Sequence, residues 1–139
     1  MRRAAGIRRA YEMGLDVYAV RPFTCENGEY PLAPEEAFRG VPRLAGGWAA
    51  DGGCGPYFRG TPYAAYILDI TGVSLYQDFI PPEVVGEMAA KLEKAAAEGR
   101  TTYQDVEGEV QEVSLEEIRA LAAWFRVCAE NGYAVAGSW

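Results

Sequence analysis

The chain has 139 residues, half of them hydrophobic and 24% charged, enough for one hydrophobic core and ordinary for a globular protein. A formal charge of -7 speaks against a surface that gains affinity by displacing counterions from nucleic acid, and no apolar run reaches the ~18 residues of a membrane-spanning helix. Histidine is absent, which removes the commonest general base, proton shuttle and metal ligand together.

The charge is unevenly spread. Residues 1–12 hold Arg2, Arg3, Arg8 and Arg9 against Glu12, a local balance of +3, whereas the rest carries -10. Ala4, Ile7 and Tyr11 recur at helical spacing, so this start reads as a basic extension or a short peripheral helix. Glu12 and Asp16 follow too soon for the apolar stretch of a targeting peptide. Residues 13–139 are expected to form a single domain, with residues 15–20 as a strand entering the core. Residues 21–60 are rich in proline and glycine and read as irregular, except for one helical turn over 33–38 with Pro34 in its first position.

Thr61 before Pro62 signals a helix start, the hydroxyl capping an unpaired N–H. That helix is expected to run to about Ile70, burying Tyr63 or Ala64, Ile67, Ile70 and Thr71, with Gly72 ending it. Residues 73–80 read as a strand or an extended connection. Pro81, Pro82 and Glu83 open the clearest helix, which puts Val85, Met88, Leu92, Ala95 and Ala96 on one face and stops at Gly99. Residues 101–113 read as an exposed acidic hairpin, with Val106 and Val110 flanking Glu107–Gly108–Glu109. Ser114 and Glu117 form a capping box ahead of a second long helix lined by Leu115, Ile118, Leu121, Ala122, Phe125 and Cys128, with Asn131–Gly132 as its stop. Residues 133–139 read as a terminal strand beside the first. This irregular order indicates an α+β fold, a small antiparallel or mixed sheet packed against two or three helices. One echo occurs: Phe38-Arg39-Gly40-Val41-Pro42 and Phe58-Arg59-Gly60-Thr61-Pro62 predict similar turns with glycine at positive φ.

The residues richest in binding chemistry lie between 46 and 63, which contain six of the 16 glycines. Glycine amides can converge on an anion, and aromatics beside an arginine offer stacking faces to a planar ligand. On this reading Trp48 and Tyr57 stack, Arg59 pairs with a phosphate or carboxylate, Gly52, Gly53 and Gly60 permit close approach, and Thr61 marks the helix start beneath. The alternative is a surface loop whose aromatics cover the core. Cys54 and Arg59 resemble the Cys-then-Arg loop of cysteine phosphatases, with the four intervening residues of their sulfurtransferase relatives; no histidine is present to activate the thiol. Cys25, Cys54 and Cys128 fit neither a disulfide framework nor a zinc pair, and predict reduced thiols in a cytoplasmic protein with no metal and no cofactor. The ten acidic residues from Glu83 to Glu117 are either a solubilising face or a surface that imitates nucleic acid toward a basic protein.

Met13-Gly-Leu-Asp-Val-Tyr18 and the closing Gly137-Ser-Trp139 resemble a group of small bacterial and phage proteins that begin Met-Gly-Leu-Asp with an aromatic soon after and often end in Ser-Trp. The resemblance implies Met13 as the ancestral start, first and last strands paired in one sheet, and, for a phage protein, an inhibitor of host defence; it transfers no catalytic residue. The leading expectation is a non-enzymatic protein that binds a small anionic planar ligand, nucleotide-like, at Trp48, Gly52, Gly53, Tyr57, Arg59, Gly60 and Thr61. The second is an acidic inhibitor of a nucleic-acid-binding protein partner, and the third a Cys54-dependent enzyme. Neither direct nucleic-acid binding nor membrane binding is expected, and nine tyrosines leave room for a homo-oligomer interface.

Overall fold

The computed structural model of the chain describes residues 14–44 and 56–139. In chain order its elements are β1 (Asp16–Val20), a 3-10 turn (Glu35–Phe38), β2 (Tyr57–Arg59), α1 (Ala64–Thr71), α2 (Pro82–Ala97), β3 (Thr102–Gln104), β4 (Val110–Glu112), α3 (Leu115–Glu130) and β5 (Ala134–Ser138). The fold is α+β. β1 is the middle strand of an antiparallel sheet ordered β2-β1-β5, and β3 pairs with β4 in a separate hairpin. First and last strands are therefore neighbours, in a register that sets Asp16 opposite Ser138 and Val20 opposite Ala134.

Strand alternation sorts the sheet into two faces. Val17, Ala19 and Phe58 are buried on the inner face, beneath the helices. Phe58 meets Trp124 edge-on with ring centroids 4.9 Å apart, Phe38 approaches the same indole at 5.4 Å, and Phe125 closes the cluster at 5.2 Å from Trp124. Each fully buried aromatic contributes on the order of 2–3 kcal/mol of apolar transfer, so this cluster anchors the sheet to α3. Helices α2 and α3 pack along each other through Val85, Met88, Ala89 and Leu92 of α2 and Ile118, Leu121 and Cys128 of α3. Glu93 and Arg126 clasp their outer edges in a two-pronged ion pair of 2.9 and 2.6 Å. The buried face of α3 is wider than a single stripe because sheet and helix pack on it from different sides, which is why Trp124 joins the predicted face and is wholly buried.

Most helix boundaries follow their signals. Pro82 stands in the first turn of α2 and Gly99 follows its end at φ +66; Ser114 accepts the amide of Glu117 at the start of α3, and Gly132 follows its end at φ +69. Two starts differ. Pro34 precedes its 3-10 turn as the cap, and α1 begins at Ala64, three residues after Thr61. The Thr61 hydroxyl is used elsewhere: it accepts the amide of Leu15 at 2.9 Å, while the carbonyl of Gly60 receives the amides of Tyr63 and Ala64, each at 2.9 Å. Residues 73–80 form an extended connection whose end runs along β5, through the Ile80–Val135 bridge and a 2.8 Å bond from the Gly137 amide to the Gln77 carbonyl.

The echo between residues 38–42 and 58–62 carries two different reasons for glycine. Gly40 has φ +90, as its turn requires. Gly60 is not among the positive-φ glycines; a Cβ there would stand 2.6 Å from Val17 Cγ2 and 2.8 Å from Leu15 Cδ2. The expected common turn is thus corrected: the second glycine is a packing requirement. No helix of the described residues is long and apolar enough to cross a membrane.

Candidate functional site

Of the seven residues predicted to bind a ligand, Trp48, Gly52 and Gly53 lie outside the described residues, as does Cys54. The other four fall on β2 and the turn after it, and they divide by role. Tyr57 and Arg59 sit two apart on one strand and so share the outer face of the sheet. Tyr57 stacks on its cross-strand partner Tyr18, with centroids 5.4 Å apart and planes 27° from parallel. The Arg59 side chain is half exposed, with Nε 3.1 Å from Asp16 Oδ1; Nη1 lies over Gly14, 2.7 Å from where a Cβ there would stand. Gly60 and Thr61 instead fasten the start of β1 to β2, through the Gly60 amide to the Leu15 carbonyl at 2.7 Å and the Thr61 hydroxyl already described. Asp16 and Tyr18 belong to the outer-face group, although sequence reasoning did not include them. Their alternation along β1 was visible, but the register that sets them opposite Arg59 and Tyr57 is decided by long-range pairing.

A second feature lies between α1 and the hairpin, where a cleft of about 260 Å³ is lined by Ala65, Leu68 and Asp69 from the helix and Gln104, Asp105 and Val106 from the hairpin. The hairpin has local causes. Gly108 at φ +83 sends its amide to the Asp105 carbonyl, and the Asp105 amide bonds the Glu109 carbonyl at 2.9 Å, a short loop closed by a left-handed glycine. The Asp105 carboxylate accepts the amides of Glu107 and Glu109 and the side-chain amide of Gln111. Its desolvation raises the pKa, but these hydrogen bonds outweigh it and hold the carboxyl below its ordinary value.

Two contacts hold the hairpin against α1. Tyr66 meets Tyr103 edge-on at 5.7 Å, and its hydroxyl donates to the Arg100 carbonyl at 2.7 Å. Burial, opposed by Arg100 and reinforced by Asp69, pushes the Tyr66 phenol up to about 12; burial and then Asp105 raise that of Tyr103. Leu68, Val106 and Val110 are 39%, 53% and 69% exposed, with Val110 directly across the hairpin from Gln104. Leu68 and Val106 share the lining of the cleft, and large apolar side chains exposed together are the informative kind of exposure. Acids surround them: Asp69 and Asp105 in the cleft, and Glu107, Glu109 and Glu112 exposed along the hairpin. Sequence reasoning had named the acidic hairpin with its two valines. The contribution of α1 was missed, and the available signal was Leu68, which falls off the buried face of its helix.

Among the described residues, no group of three His, Cys, Asp or Glu side chains is placed to hold a metal ion. Cys25 is exposed and Cys128 buried, where burial pushes its thiol well above the ordinary value and leaves it a small hydrophobe. Comparison with known proteins finds no match: no family model matches the chain, and neither do any curated protein and any solved structure.

Proposed function

We propose that the chain is a protein-binding module whose working surface is the acid-rimmed cleft between α1 and the β3–β4 hairpin, and that its partner presents an apolar side chain flanked by lysine or arginine. The observation that carries this reading is that Leu68 and Val106, two of the five large hydrophobics exposed among the described residues, line one recess together with Asp69 and Asp105, with Val110 exposed on the same hairpin across from Gln104. Apolar anchors give affinity when a partner desolvates them, and surrounding charge selects the partner's sign and speeds encounter. Nucleic-acid-binding proteins carry concentrated positive surface, so they are the partner class this face suits, as an inhibitor that stands in for the acid they bind. Selection of peptides from a random display library on the wild-type chain, with removal of those that also bind Leu68→Asp/Val106→Asp, tests the reading. It expects enriched sequences with a large apolar residue between basic ones, binding more weakly as salt rises. Selected peptides without basic bias, or no enriched sequence left after that removal, refute it.

A second reading, a small anionic planar ligand on the outer sheet face, is favoured by the Tyr18–Tyr57 stack beside a half-exposed Arg59. Asp16 weighs against it by occupying the guanidinium. A nucleotide panel followed by thermal unfolding tests it, since ligand at 100 times its Kd stabilises a protein by about 2.7 kcal/mol; a shift abolished by Arg59→Gln supports it, and no shift with any nucleotide removes it.

A further inference from the structure

A recess of about 210 Å³ opens beside the C-terminal half of α2, lined by Ile70, Lys91, Lys94, Ala95, Glu98 and Arg100. Lys91 and Lys94 are the only two lysines of the 139-residue chain, and a protein of net charge -7 thus places both in one small recess with an arginine. We propose that this recess is a binding site for a phosphate-class oxyanion, held by Lys91, Lys94 and Arg100 over an apolar floor of Ile70 and Ala95.

The ordinary use of cations near a helix end is to satisfy its last carbonyls and its dipole. Here the backbone already does the hydrogen bonding. Glu98, Gly99 and Arg100 send their amides to the carbonyls of Lys94, Ala96 and Ala95 at 3.0, 3.2 and 2.9 Å, the reversed turn that a left-handed glycine makes. The Lys94 ammonium accordingly has no hydrogen bond or ion pair among the described residues. Lys91 donates to the Thr71 carbonyl at a long 3.3 Å and keeps two of its three protons for another acceptor. Arg100 stands 3.5 Å from Asp69 Oδ2, with both side chains exposed, a contact loose enough for an anion to replace.

Charge counts in the same direction: three cations face Glu98 inside the recess and Asp69 at its edge, so an anion meets a net positive site on an acidic protein. A tetrahedral oxyanion suits this donor set because an arginine fork takes two of its oxygens while ammonium groups take the others. The recess is several times the ~30 Å³ share of a water molecule, which leaves room for a phosphate group. The Asp69–Arg100 pair forms the wall between this recess and the acid-rimmed cleft, so the two sites are adjacent and opposite in sign; the anion site does not depend on the protein-binding reading.

The test is an amide NMR titration of the full chain with inorganic phosphate, glycerol phosphate and acetate, each at constant ionic strength. Saturable shifts confined to Ile70 and residues 91–100, with Lys91→Gln and Lys94→Gln each weakening phosphate at least tenfold and Arg119→Gln, on the exposed side of α3, leaving it unchanged, support the site. Tighter glycerol phosphate than phosphate identifies a phosphate ester as the ligand, and the reverse a free phosphate. Overturning results are an absence of saturation by either phosphate, acetate binding as tightly as phosphate, or equal weakening by Arg119→Gln. All three variants change exposed side chains, and unchanged spectra elsewhere report their folding.

Discussion

Gly60→Ala discriminates a packing glycine from one that lets a ligand approach. A methyl there would stand 2.6 Å from Val17 Cγ2 and 2.8 Å from Leu15 Cδ2, distances real contacts do not sustain. Both neighbours are fully buried, so they cannot swing into solvent, and overpacking of this kind costs about 1–3 kcal/mol. The alanine recovers ~0.4–1 kcal/mol by restricting the unfolded chain, leaving a net loss of about 1–2 kcal/mol. Val17→Ala removes the nearer obstacle, so the double variant should be more stable than the sum of the two losses by about 1 kcal/mol, a coupling within the range for residues in contact. Gly40→Ala makes the comparison: its φ is +90 with nothing among the described residues within 4 Å of the added Cβ, so it should lose ~1 kcal/mol through backbone strain and show no coupling to Val17→Ala. Urea denaturation with a constant m-value reads the wild type, the three single variants and the two double variants. Unchanged stability in Gly60→Ala, or additivity with Val17→Ala, refutes the packing account and returns Gly60 to a ligand role.

Three further outcomes follow from the same geometry. The Tyr66 phenol is pushed up to about 12 when folded against near 10 when unfolded, so the unfolded chain releases its proton first; its contribution, on the order of 2–3 kcal/mol, is intact below pH 10 and lost as pH rises toward 12. Tyr66→Phe should flatten that alkaline loss in stability-against-pH curves. Glu93, held below its ordinary pKa first by the Arg126 hydrogen bond, contributes above its unfolded pKa and loses that contribution as pH falls through the folded value; because the pair is over a third exposed, Glu93→Gln should cost under ~1 kcal/mol and less at high salt. The Trp124 indole N–H is buried without a hydrogen-bond partner among the described residues, a state that costs about 1–3 kcal/mol, so in chemical denaturation Trp124→Phe should lose no more than ~1.5 kcal/mol where Trp124→Ala loses about 3–5.

Elements with strong local causes were legible in the sequence. Pro82 and Gly99 bracket α2, Ser114 and Asn131–Gly132 bracket α3, and Gly108 makes the hairpin, each through chemistry within a few residues. The pairing of first and last strands was also expected, from β-prone ends and from a resemblance. What could not be read depends on residues distant in the chain. Thr61 has the look of a helix cap, but Leu15, 46 positions earlier, takes its hydroxyl. Gly60 and Gly40 sit in like pentapeptides, yet only the fold brings Val17 against one of them. The site was legible in its parts: Tyr57 and Arg59 do share a face, and the acidic hairpin does carry exposed valines. Their neighbours Tyr18, Asp16, Leu68 and Asp69 enter only through sheet register and the packing of α1 on the hairpin.

On the proposed function, a basic partner docks in the recess between α1 and the hairpin. An amide shift map of the labelled chain with a peptide recovered by the display selection addresses it directly. The account predicts shifts centred on Ala65, Leu68, Asp69 and residues 104–106, with Asp69→Asn weakening the peptide and added salt doing the same. Shifts centred on Tyr18, Tyr57 and Arg59, with that recess silent, contradict it.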